Sequence, residues 1–157
     1  LQILKKKIKF NKKINDYFIN KYYKPDIQLN IAKKLLSFAN SSIDISDGLI
    51  SDLEKMLNMQ NYSYEIIEKK IPISKYLSKL IKIHKFNKSR LVSKGDDYQV
   101  LFTAAGSKSR IIHKTSKILG IKITKIGKII NSKNKSHIID ENGKKIALKN
   151  KGYIHKF

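Results

Sequence analysis

Cysteine and tryptophan are absent from this 157-residue chain, and proline and arginine occur only twice each. Without cysteine there is neither a disulfide framework nor a thiolate metal site. No apolar run approaches the length that a bilayer span requires, and no basic-plus-apolar leader with a small-residue cleavage site is present. The expected location is therefore cytoplasmic, with no membrane partner. The chain opens on Leu1 and not on methionine, which suggests that its true start lies upstream. Acidic residues are scarce as well: 12 Asp and Glu stand against 34 Lys and Arg, for a formal net charge of +22.

Such a charge, taken literally, points to nucleic acid or another anionic surface. The basic residues argue otherwise. Arginine, the preferred group for bidentate recognition of phosphates and bases, stands only at Arg90 and Arg110. The lysines are spread along the whole chain among Ile and Asn, which is what an A+T-rich coding sequence produces. We expect no specific nucleic-acid partner, only weak and salt-dependent attraction to polyanions. The alternative that stays open is a basic, non-catalytic nucleic-acid- or polyanion-binding module whose few acids are caps and turn residues.

At this length, and with 41% hydrophobic residues, there is room for one domain with a proper core. Helical spacing is expected in the later part of the stretch from Leu1 to Tyr23, until Tyr23-Lys24-Pro25 breaks it. It resumes over 27–38 through Ile31, Ala32, Leu35 and Leu36. A short strand over 41–45 leads into a helix over 49–59, whose apolar positions are Leu49, Ile50, Leu53, Met56 and Leu57. Tyr62, Tyr64, Ile66 and Ile67 mark a second strand, Pro72 a bend, and 73–86 an amphipathic helix. A basic helix over 107–119 is ended by Gly120, and alternation over 121–130 predicts a strand containing Gly127. His137 to Asp140, Asn142-Gly143 and Lys145 to Leu148 read as a hairpin, because Asn-Gly favours the tight turn with positive φ.

Two stretches carry chemistry. In Ile43-Asp44-Ile45-Ser46-Asp47-Gly48-Leu49, two carboxylates and a hydroxyl lie where a strand gives way to a helix. Asp44 and Ser46 share a face of the extended segment, Asp47 sits at the turn, and Gly48 lets the backbone bend. Carboxylates there can hold Mg2+, while the hydroxyl and the N-terminal amides of the helix face phosphate oxygens. The plainer alternative is a helix cap, with Ser46 or Asp47 satisfying the first free amides. In Gly95-Asp96-Asp97-Tyr98-Gln99-Val100-Leu101-Phe102-Thr103, two adjacent acids follow a glycine and precede an apolar strand. Such a pair is tolerated when solvated, capped or bound to a cation or a donor-rich ligand. Tyr98 alternates with Val100 and Phe102 and is expected to face the core. His84, His113 and His137 lack metal-ligand spacing and are expected on the surface.

Asp-Ile-Ser-Asp-Gly-Leu, then Gly-Asp-Asp-Tyr-Gln-Val-Leu-Phe-Thr about fifty residues on, then Ile-Thr-Lys-Ile-Gly-Lys-Ile and a terminal Gly-Tyr-x-His ahead of a phenylalanine, occur in that order. This arrangement resembles the C-terminal half of thiamine-monophosphate kinase, within the aminoimidazole-ribonucleotide-synthetase-like superfamily. The resemblance implies an α+β fold: a mixed, largely antiparallel sheet with packed helices. It implies that residues 1–25 end a preceding domain or linker helix and that 26–157 form the C-terminal kinase domain. The N-terminal ATP and metal domain would then be absent.

The implied activity, in thiamine biosynthesis, is ATP-dependent phosphorylation of thiamine monophosphate to thiamine diphosphate, by Mg-assisted in-line transfer. Several Mg2+ ions would be cofactors, ATP a co-substrate, and the full-length protein a homodimer. Carried over by position, Asp44 and Asp47 would be metal ligands and Ser46 would contact the nucleotide. Asp96 and Tyr153 would contact the thiamine moiety, with Phe157 as the second aromatic candidate. Departures are visible: the family usually has Glu at the positions of Asp96 and Gln99, and Lys156 is an extra residue before Phe157. With the other half missing, the chain is expected to be inactive alone.

Overall fold

The computed structural model describes residues 10–146, apart from 59, 89, 90, 92–94, 96 and 97. Helix α1 spans Lys12–Tyr23; the Asn11 side chain accepts from the Ile14 amide at 3.0 Å, and the helix stops just before Pro25. A single 3-10 turn, Leu29–Ile31, runs into the four-residue helix α2, Ala32–Leu35. The spacing over 27–38 thus yields far less helix than expected. The Ser37 hydroxyl bonds back to the Lys34 carbonyl and only Ile31 and Phe38 are buried, so the amphipathic face has little to rest on. Leu36 is left 90% exposed.

Strand β1, Ser41–Asp44, delivers the chain to the acidic turn, and helix α3, Leu49–Met56, leaves it. Strand β2, Tyr62–Ile67, ends in a 3-10 turn, Glu68–Lys70; helix α4, Lys75–His84, follows, capped by Ser74 onto the Leu77 amide. Strand β3 is Val100–Thr103 and helix α5 is Ser109–Leu119, closed by Gly120 in the left-handed region at φ 64°. Strands β4, Gly127–Asn131, β5, His137–Ile139, and β6, Lys145–Ile146, complete the described elements.

These strands form two sheets. β1 pairs antiparallel with β3, and the other sheet runs β4-β2-β5-β6, with β2 and β5 parallel and the outer pairs antiparallel. The expected hairpin is present, with Gly143 at φ 79°. The strand expected over 121–130 begins only at Gly127. β2 stops at Ile67 and turns away, so after the Ile67 amide bonds to the Ile126 carbonyl at 2.8 Å no strand among the described residues pairs with 121–125.

One core joins both sheets. All five apolar positions expected on α3 are buried, and Ile50 is fully so. They pack with Ile45 and Leu101 from the first sheet, and with Tyr64, Ile66 and Ile138 from the second. Each fully buried Leu or Ile contributes roughly 1.5–3 kcal/mol, so α3 is the piece that fastens the two sheets together. Tyr64 also donates to Glu54 of α3 at 2.9 Å; burial, then this bond, pushes its phenol well above the usual tyrosine range.

Candidate active site

The site is built on the β1–β3 ladder. Asp44 faces Val100 across it, and pairing continues past both strand ends: the Ile45 amide donates to Gln99 at 2.8 Å and the Tyr98 amide to Ile45 at 2.9 Å. The segment 41–45 and the segment 98–103 therefore run side by side. Gly95 completes the approach. At φ 72° it lies against the turn so closely that a Cβ there would fall 2.2 Å from the Ser46 carbonyl oxygen and 2.9 Å from the Asp47 carbonyl carbon. Only glycine fits that position, on grounds of both space and backbone conformation.

Within the turn, Asp44 is exposed at the end of β1, and Ser46 and Asp47 are half-buried. Helix α3 starts from Gly48, at φ 122°, without a side-chain cap. The capping reading for Ser46 or Asp47 is thus not what the structure shows. The bonding runs the other way. The Asp52 carboxylate, 1% exposed, reaches back so that its Oδ2 accepts from the amides of Ser46 at 2.9 Å, Asp47 at 2.9 Å and Gly48 at 3.1 Å. Its Oδ1 accepts from the Lys55 ammonium at 2.8 Å, and Lys55 also bonds to Asp47. These carboxylates, Asp47 first and then Asp52, hold the Lys55 ammonium above the ordinary lysine range.

The apolar spacing of this helix gives no hint of the roles of Asp52 and Lys55. A signal existed: an acid in the first turn of a helix that opens on glycine can turn back onto the free amides. Tyr98 is the reverse case. Expected in the core, it is 41% exposed, because its backbone is left-handed at φ 50° and so breaks the alternation with Val100 and Phe102. Of the histidines, His84 and His113 are exposed as expected, whereas His137 is half-buried between Glu65 and the Lys135 carbonyl. The parallel register places it opposite Glu65.

Asp96, Tyr153 and Phe157 lie outside the described residues, so the convergence is described only up to Gly95. Among the described residues no group of three or more His, Asp or Glu gathers to hold a metal. Asp44 and Asp47 are hard oxygen donors of the kind Mg2+ takes, but two carboxylates would make only part of an octahedral shell. By donor chemistry they would fit the ion as contributors, with phosphate, water or further carboxylates completing the set.

No protein-family model matches the chain. Solved structures do. The chain superposes with a TM-score of 0.72 on AaThiL complexed with AMPPCP and TMP, at 22% identity, covering 98% of this chain and 46% of that one. It superposes equally, at 0.72, on thiamine-monophosphate kinase from Stenotrophomonas maltophilia K279a, at 23% identity and 85% and 41% coverage. By fold the chain is thus α+β, with the architecture that it shares with these two structures.

Sequence narrows this. Thiamine-monophosphate kinase of Buchnera aphidicola subsp. Schizaphis graminum (strain Sg) is 37% identical over 156 residues, covering 99% of this chain and 48% of that protein. The enzyme of Bacillus subtilis (strain 168) is 30% identical over 142 residues, covering 89% and 42%. The chain is homologous to a half of thiamine-monophosphate kinase. It spans about half the length of the curated relatives it matches.

Proposed function

We propose that this chain is the C-terminal half of a thiamine-monophosphate kinase, residues 26–157 forming the domain and 1–25 the end of what precedes it. In the reaction, a phosphate oxygen of thiamine monophosphate bonds to the γ-phosphorus of ATP as the bond to the β-γ bridging oxygen breaks. ADP leaves and thiamine diphosphate remains. Catalysis of this kind is mostly positioning and charge neutralisation. Mg2+ would supply the neutralising charge, with Asp44 and Asp47 among its ligands. Ser46 would meet the nucleotide, Asp96 the thiamine moiety, and Tyr153, or failing it Phe157, the thiamine ring. The expected setting is the cytoplasm and the expected assembly a homodimer of the complete protein.

The observation that supports this reading is the packing of Gly95 on the backbone of Ser46 and Asp47, next to the two candidate metal ligands. The relatives' names and the AMPPCP and TMP bound to AaThiL support the same substrates. The chain alone is expected to be inactive, since the relatives use about twice its length. Mixing it with a separately produced N-terminal half of a relative should restore Mg-ATP-dependent formation of thiamine diphosphate, and Asp44→Ala should abolish it. Restored activity untouched by that change would remove Asp44 from the metal site.

A further inference from the structure

A cavity of about 390 Å³ opens on a part of the molecule that shares no lining residue with the acidic turn. Its wall combines Lys69 and Lys70 from the turn after β2, Lys82 from α4, Lys88 beyond it, and Lys122 after α5; Glu141, at the β5–β6 turn, is the one acid among the described residues that line it. Ile71 and Ile81 give it an apolar floor. Four of these lysines are exposed, as a compositional surplus of lysine would place them. Lys88 is not. It is 8% exposed, and its ammonium donates to the Glu68 carbonyl at 2.7 Å.

Burying an ammonium is costly, and gathering five like charges from separate segments around one hollow adds repulsion. A compositional bias explains lysines in water; it does not explain this convergence. An anion seated in the cavity relieves both costs, and the volume suits a small molecule. Lysine ammoniums recognise phosphoanions as point charges, without the geometric fork of arginine. We propose that this cavity is a binding site for a small phosphoanion, independent of the acidic turn and of the kinase reading.

The test titrates the intact 157-residue chain with pyrophosphate and, separately, with phenyl phosphate at physiological ionic strength, followed by calorimetry and amide chemical shifts. One saturable site is expected, with shifts at Ile71, Ile73, Ser78 and Lys122. Tighter binding of phenyl phosphate assigns the apolar floor to an organic group; tighter pyrophosphate assigns the site to an inorganic anion. The pair Lys82→Ala/Lys122→Ala should weaken binding about tenfold. The exposed pair Lys114→Ala/Lys117→Ala on α5 should leave it unchanged. Both substituted pairs lie on the surface, so the comparison does not depend on replacing buried Lys88. Equal loss from the two pairs, many weak sites that vanish with salt, or shifts centred on Ser46 to Gly48 would each overturn the proposal.

Discussion

Three amides, those of Ser46, Asp47 and Gly48, converge on one oxygen of Asp52 at 2.9 to 3.1 Å. Removing that acceptor strands three amides, two half-buried and that of Gly48 buried, and leaves Lys55 with one partner fewer. Asp52→Ala is therefore expected to cost about 3 kcal/mol in urea unfolding. Asp52→Asn, which keeps an acceptor but loses the charge, should fall between. A loss below about 1 kcal/mol would mean that water replaces the carboxylate. Asp44→Ala, at an exposed position, should stay within about 0.5 kcal/mol of the parent. The contrast follows from roles: Asp44 faces outward, whereas Asp52 holds the turn in shape. Sequence could show the first, because Asp44, Ser46 and Asp47 are neighbours along the chain. It hid the second, since a buried acid in a helical run looks like any polar residue until the loop it supports is placed.

Strand β2 is the central element of the larger sheet, and its Glu65 ties both neighbours: Lys128 of β4 at 3.1 Å and His137 of β5 at 3.3 Å. The bond to Lys128, then the weaker influence of His137, holds the Glu65 carboxyl below its ordinary 4.5. A carboxylate whose pKa is lowered by folding stabilises the native state above its unfolded pKa, and that share is lost as pH falls through the folded value. Comparing wild type with Glu65→Gln by urea unfolding should show a stability gap at pH about 6 that closes below pH about 4. A gap that persists in acid would exclude the charge as its source. Elements of this kind were legible where a local pattern is strong. Helices α1, α3 and α4 follow their apolar spacing and their breakers, and the hairpin follows Asn142-Gly143. What local pattern could not show was pairing. The run over 121–125 alternates well yet has no strand to bond with among the described residues, and Tyr98 departs from alternation because of one left-handed residue.

With a formal charge of +22 on 157 residues, the chain repels itself. Salt screens that repulsion, so the melting temperature should rise between low and moderate NaCl before levelling off. A melting temperature that falls with added salt would show that attractive pairs outweigh the excess of lysine. The meeting of Gly95 with Ser46 and Asp47 also belongs to the molecule as a whole. Sequence supplied two motifs in order and a resemblance that implied their meeting; the β1–β3 ladder is what brings them together, and it could not be read from either motif alone.

In this setting the link from Lys55 to both Asp47 and Asp52 acquires a second meaning. The ammonium is a resident counter-ion, so on the proposed reading a metal at Asp47 would have to displace a charge already seated there. Exchange of this kind gives a monovalent ion nothing, since it displaces its equal. A doubly charged ion would gain from the swap, so the proposed metal site would discriminate by valence before any question of size arises.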